Sequence, residues 1–129
     1  MSDLDSPAAL EAMIARYDAA WNAHDVDAIV LLHAPGMVFE NHTARERVDG
    51  AAVAAHIARI FERWPDLAFR RRRLYVREGL VVSEWTATAT GSSGRRLEWD
   101  GVDLLPCRDG LVVRKDVYSS SHDPRVLEG

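Results

Sequence analysis

The 129-residue sequence predicts an α+β fold in which helices come first and a curved, mostly antiparallel sheet wraps on them. Three observations carry that reading. Apolar residues recur at helical spacing in the first half, period-two alternation takes over from about residue 67, and turn residues divide the second half into strands of similar length.

Ser6 followed by Pro7 forms a helix cap and first turn, and Leu10, Met13, Ile14, Tyr17 and Trp21 then recur on one stripe to about residue 23. A phenol, Tyr17, therefore lies among apolar positions. The segment "NAHDVDAI" restarts the chain as a short second helix, which Pro35 and Gly36 are expected to end. "MVFEN" alternates as a short strand and "HTARERVDG" reads as a polar loop. A third helix places Val53, Ile57, Ile60, Phe61 and Trp64 on one stripe before Pro65 stops it. Strands follow at about 67 to 77, 80 to 90, 95 to 107 and 111 to 119, joined by turns at Glu78-Gly79, Gly91 to Gly94 and Asp109-Gly110.

Composition narrows the function classes. The length suits one domain, residues 1–129, able to bury a core around a small cavity. Twenty acidic against sixteen basic residues, net -4, argue against a nucleic-acid or anionic-membrane partner. Cys107 alone permits no internal disulfide, and the acidic start "MSDLDSPAALEA" lacks the charge and apolar region of a signal peptide, so a cytoplasmic location is expected. No apolar run approaches the roughly 20 residues that span a bilayer. The five histidines show no ligand spacing such as HExxH, and no metal is expected; His42, beside Asn41, is the one to watch. Cys107 is expected to be inert, and the "RRRR" at 70 to 73 to form a solvated or interface face.

The order of elements, the opening "RYDAAWNAHDVDAIVLLHA", the segment "MVFEN", the "DG" after Asn41 and the close "GVDLLPCRDGLVVRKDVY" resemble the nuclear-transport-factor-2-like superfamily over roughly residues 8 to 120. The branch they look most like holds SnoaL-like polyketide cyclases, ketosteroid isomerase and limonene epoxide hydrolase. That resemblance implies a cone: three N-terminal helices packed in the concave face of a strongly curved, mixed sheet. The fold hosts many reactions as well as inert binders.

Residue by residue, the resemblance to ketosteroid isomerase puts its helix-one tyrosine on Tyr17, its general base on Asn41 and its second oxyanion donor, an aspartate, on Asp103. An amide is no base, so steroid-type isomerisation by that route does not follow. The paired phenol and neutral carboxylic acid of that isomerase are a known case of a carboxyl held protonated by an apolar site. Against limonene epoxide hydrolase, Asn41 matches, but Phe39, Glu84, Thr86 and Val117 stand where its tyrosine, arginine and aspartates belong. The polyketide cyclases fit better, through a helix-one tyrosine, an asparagine and a strand aspartate, although their strand histidine is missing.

Strand parity adds a check from the residues themselves. If Asp103 faces the cone, so do Leu97, Trp99, Gly101 and Leu105, leaving a lone carboxyl on an apolar face with a raised pKa. Asp103→Asn should then leave folding intact or improve it. The same alignment turns Glu84, Thr86 and Thr88 inward on one strand and Lys115 and Val117 inward on the last, with Asp116 interchangeable with Lys115 if the register slips. Glu84 and Lys115 can also simply pair with each other. Trp85, Ala87, Ala89, Val102, Leu104 and Tyr118 face outward in this register and predict a homodimer through the convex side.

Two functions remain open. The first is an enzyme performing cofactor-free acid/base chemistry on a carbonyl or polyketide-like compound, as cyclase, isomerase or dehydratase, with Asp103 moving the proton and Tyr17 and Asn41 holding the enolate oxygen. Trp21, Phe39, Ile57, Phe61, Trp64 and Trp99, with Glu84, Thr86 and Lys115, would line the site for a small apolar or aromatic organic ligand. The second is a non-catalytic ligand-binding domain of the same fold.

Overall fold

The computed structural model describes residues 3–127, so the first two residues of the acidic N-terminal stretch and the last two of the expected domain lie outside it. Ser6 starts helix α1 (Pro7–Asn22) by accepting a hydrogen bond from the Ala9 N–H at 3.2 Å, with Pro7 in the first turn where its missing N–H costs nothing. The chain reverses at His24, in the left-handed region at φ 55°, whose ring binds the Leu67 carbonyl at 2.7 Å and stacks on Phe61. Asp25 then caps α2 (Val26–Val30) through the Ala28 N–H.

Helix α2 stops earlier than Pro35-Gly36. Residues His33–Asn41 form β1, longer than the "MVFEN" strand, and Pro35 and Gly36 are absorbed in an irregularity of its pairing between His33 and Val38. A proline is tolerated there because the ladder is interrupted, and Gly36 takes φ 72°. The polar loop also contains a strand, β2 (Glu46–Asp49), that folds back on β1. Helix α3 (Ala52–Arg63) ends one residue before the Trp64-Pro65 pair. The four later strands fall close to their expected bounds: β3 (Ala68–Arg77), β4 (Leu80–Thr90), β5 (Arg96–Arg108) and β6 (Leu111–Ser119). A short β7 (Arg125–Leu127), with no sequence signal, pairs with the start of β5.

The sheet runs β2-β1-β6-β5-β4-β3, with β1 and β6 parallel and the other neighbours antiparallel. This is the expected α+β arrangement of three helices and a curled mixed sheet. The apolar stripe of α1 (Leu10, Met13, Ile14, Tyr17, Ala20 and Trp21) and Val53, Ile57 and Phe61 of α3 share one core with the inward residues of the strands. No helix among the described residues is long and apolar enough to cross a membrane.

On β4 the face expectation is reversed. Ser83, Trp85, Ala87 and Ala89 are buried inside, opposite Asp103, Gly101, Trp99 and Leu97 of β5, and directly opposed residues share a face. Glu84 and Thr86 therefore point to the convex side, where Glu84 meets Arg73 at 2.9 Å and Thr86 donates to Asp100 at 2.7 Å. Hydrophobic burial decides the register: the alternative would turn Glu84 and Thr88 into the apolar core, take Thr86 from its Asp100 partner and turn the Trp85 indole out of it. It also removes Trp85, Ala87 and Ala89 from the expected dimer patch, leaving Val102, Leu104 and Tyr118. The arginine run lies exposed on β3, with Arg71 paired to Asp18 and Arg73 to Glu84, surface contacts of small energetic weight.

The glycine at position 101 permits this register. A Cβ there would lie 2.3 Å from the Trp85 ring, so the indole occupies the space that a side chain would need. Gly101→Ala should therefore destabilise the protein by about 1–3 kcal/mol through overpacking, read as a lowered urea midpoint at unchanged slope.

Candidate functional site

A cavity of about 440 Å³ opens between the sheet and α3. Its walls are aromatic: Trp21 from α1, Phe39 from β1, Trp64 beyond α3, Phe69 from β3, Trp85 from β4 and Trp99 from β5. Two of the charged side chains that line it are buried, Asp103 of β5 and Lys115 of β6, only 8% and 6% exposed. Asp103 lies opposite Val117 on β6, so Lys115, two residues earlier on the same face, reaches it diagonally. Lys115 Nζ lies 3.4 Å from Asp103 Oδ2 and 3.5 Å from the Tyr17 hydroxyl, with the rings of Trp21 and Tyr17 at 4.3 and 4.8 Å.

The carboxyl is thus not alone on an apolar face. Its Oδ2 faces the ammonium, while Oδ1 is buried without a hydrogen-bond partner, as is the Trp85 indole N–H. Burial by itself would lower the Lys115 pKa, but the Asp103 carboxylate and the Tyr17 oxygen outweigh it and hold the lysine above its ordinary value. Burial also raises the Tyr17 phenol, against the pull of Lys115. Behind the phenol sits His33, whose Nε2 is 2.9 Å from the Tyr17 oxygen. Burial, assisted by the Lys115 charge, lowers its pKa to about 4, so it is neutral at pH 7. A neutral ring is assigned to accept the Tyr17 proton at Nε2, leaving the phenol oxygen free to accept from Lys115. The result is a chain of four groups, Asp103, Lys115, Tyr17 and His33.

The residues singled out in the sequence are distributed as follows. Asp103, Asn41, Trp21, Phe39, Trp64, Trp99 and Lys115 line the large cavity. Asn41 is at its rim, its side-chain oxygen accepting from the Ala44 N–H at 3.0 Å. Tyr17 lies behind Lys115 and borders a smaller chamber of about 110 Å³ that shares Asp103 and Lys115 with the large one. Ile57 and Phe61 are core residues outside the cavity lining, Phe61 packing edge-on against Trp21. Glu84 and Thr86 are on the opposite face, and Glu84 pairs with Arg73 rather than Lys115. Lys115 points inward and Asp116 outward, as the unslipped register requires.

Sequence reasoning missed His33, which was assigned to the second helix rather than to the first residue of β1. It also missed the exposed charged groups of the lining, Glu46, Arg59 and Arg63, and the buried His56 edge-on to Phe39, all presented by β2 and α3. Cys107 is buried and its thiol is pushed up to about 11, which suits an inert residue. On the convex face Glu40, His42 and Asp116 offer three ligand atoms within 4.8 Å of one another, but Arg114 already engages both carboxylates and the His42 ring is already bonded to Asp116.

Residues 14–115 match the SnoaL-like domain. The chain belongs to the SnoaL-like family. By sequence, no curated protein matches it. Among solved structures, this SnoaL-like chain resembles a candidate hydroxylase, AclR of Streptomyces galilaeus, at 25% identity and a TM-score of 0.76, covering 88% of this chain and 80% of the other. A candidate SnoaL-like polyketide cyclase from Jannaschia sp. CCS1 superposes with a TM-score of 0.78 at 22% identity, covering 93% and 90%. The candidate polyketide cyclase IdmH of Streptomyces antibioticus gives 0.77 at 20%, covering 88% and 93%. At the identities of the last two, the likeness is one of fold.

Two outcomes are expected from the charged chain of this SnoaL-like protein. Asp103→Asn leaves the Lys115 ammonium buried without its counter-charge and should cost about 3–5 kcal/mol at pH 7, whereas Asp103→Leu combined with Lys115→Met should be neutral or stabilising in urea unfolding. This reverses the expectation drawn from a lone carboxyl. The stability supplied by Lys115, whose folded pKa is raised, is present below its unfolded value and lost as pH rises through the folded one.

His33 works at the acid end. The unfolded ring binds a proton near pH 6.5 and the folded one only near 4, so its contribution is complete above 6.5 and lost as pH falls through 4, about 3 kcal/mol in all. His33→Gln should flatten the unfolding free energy between pH 6.5 and 4 relative to wild type.

Proposed function

We propose that the protein is an acid/base enzyme that enolises a small, flat carbonyl compound of the polyketide kind, as the first step of a cyclisation, isomerisation or dehydration, without a cofactor. The observation that carries this reading is the unpartnered Oδ1 of Asp103, buried beside an ammonium in an aromatic cavity. A carboxylate oxygen with no hydrogen-bond partner in the protein has its lone pairs available to a substrate C–H bond that reaches it. The Lys115 ammonium, 3.4 Å from the other oxygen, is placed to receive the negative charge that develops on the substrate oxygen. The oxyanion role expected of Tyr17 therefore passes to Lys115, with Tyr17 and His33 orienting the amine from behind. Asn41, with its carbonyl already engaged, can offer only its amide N–H groups at the rim. The aromatic walls favour a planar apolar body, and the polar mouth tolerates oxygen substituents.

A second reading has its own support: an ion pair that occupies one oxygen of Asp103 also suits a site that only binds. Enolisation separates the two. With 2-tetralone in D₂O, followed by proton NMR, the protein should accelerate loss of the α-proton signal over buffer, and Asp103→Asn should reduce that rate by about 10²- to 10⁴-fold. No acceleration, with 2-tetralone nevertheless bound, would make the protein a binder.

A further inference from the structure

The sixteen basic residues of the chain are fifteen arginines and one lysine, and that lysine is Lys115. Every surface cation among the described residues is thus a guanidinium, a group that cannot act as a nucleophile at neutral pH. The single side-chain amine lies 6% exposed against the cavity, within 3.5 Å of both a carboxylate and a phenol. Charge pairing alone does not ask for lysine, since among the described residues arginine serves every other Lys- or Arg-carboxylate salt bridge. An amine differs from a guanidinium in being able to give up its proton and attack carbon.

We propose that Lys115 forms an imine with the carbonyl group of the substrate, so that enolisation proceeds through a covalent iminium rather than a free ketone. The inference rests on the reading that the cavity takes a carbonyl compound. Asp103 holds Lys115 charged in the free protein, and once the carbonyl compound fills the cavity and excludes water Asp103 accepts a proton from the ammonium, which leaves two neutral groups in a low-dielectric site. The Nζ electron pair then bonds to the carbonyl carbon while the C=O π pair moves to oxygen, and transfer of a proton from nitrogen to that oxygen gives a carbinolamine. Asp103 returns its proton to the carbinolamine hydroxyl, water leaves, and the nitrogen pair closes the C=N bond. Lysine ammonium and ketone thus become iminium and water, with Asp103 again a carboxylate whose Oδ1 can take the α-proton. The positive charge then lies on the substrate itself, where it acidifies that C–H bond most directly.

The lone lysine makes the test clean, because Lys115 and the N-terminal amine are the only primary amines to trap. Wild-type protein is incubated with 2-tetralone and sodium cyanoborohydride, which supplies the hydride that reduces an iminium, and is digested for peptide mass mapping. The expected result is one tetralyl group on the peptide carrying Lys115, at least ten-fold above the N-terminal amine, and loss of both adduct and α-proton exchange in Lys115→Arg, which keeps a cation beside Asp103. Catalysed exchange without an adduct on Lys115, or exchange that persists in Lys115→Arg, overturns the imine and leaves the acid/base reading standing. Absence of both exchange and adduct overturns both. Should Lys115→Arg fail to fold, the mapping on wild-type protein decides alone.

Discussion

An ammonium taken out of water must be given its own surroundings, and Lys115 sets that requirement for the rest of the structure. Its charge is met by Asp103 on the neighbouring strand, by the faces of Trp21 and Tyr17 from α1 and by Phe39 from β1. Helix α1, packed against β3 and β4, must therefore turn its aromatic stripe inward so that Tyr17 and Trp21 reach Lys115, and β5 and β6 must keep the register that brings Asp103 and Lys115 to the same face. The desolvation cost of such a pair is large and its Coulomb attraction only offsets it when the geometry is held. Holding it is the task of the surrounding core.

The neutrality of His33 follows from the same constraint. A second positive charge one phenol away from Lys115 would be repelled as well as desolvated, and the ring stays uncharged. The polar chain thereby carries one positive and one negative charge, with two neutral groups behind. The cavity thus has aromatic walls with one buried charged pair at depth, apart from the exposed charges of Glu46, Arg59 and Arg63.

Much of this was readable from the sequence. Helical spacing at Leu10, Ile14, Tyr17 and Trp21, alternation in the later strands and the turn pairs at Glu78-Gly79 and Asp109-Gly110 locate the main elements closely. Asp103 and Lys115 fall on the inner face through the family resemblance, with strand parity as the check, and Asp116 stays interchangeable with Lys115 until the register is known. What failed had physical causes. Pro35 and Gly36 signal a break, but a break inside a strand and the end of a helix look alike until the pairing partner, β6, is known. The face of β4 was set by family alignment against its own hydrophobic pattern, and the pattern was right. The Asp103–Lys115 pair depends on a diagonal between strands whose register no local signal gives, so the sequence pattern by itself leaves the carboxyl alone on its face. His33 could be found only by knowing what stands beside Tyr17.

The contact between Trp85 and Gly101 means that the depth of the cavity is written in the sheet itself. The six-membered ring of the indole fills the place that a side chain at position 101 would take, so the wall at this point is the ring itself set against a residue with no side chain. Shape here can change without touching any loop: a smaller ring at position 85 would deepen the cavity toward the strands while leaving the mouth, the rim asparagine and the charged pair as they are. Ligand size and ligand chemistry are therefore separable traits in this architecture, and a lineage could drift in the one while preserving the other.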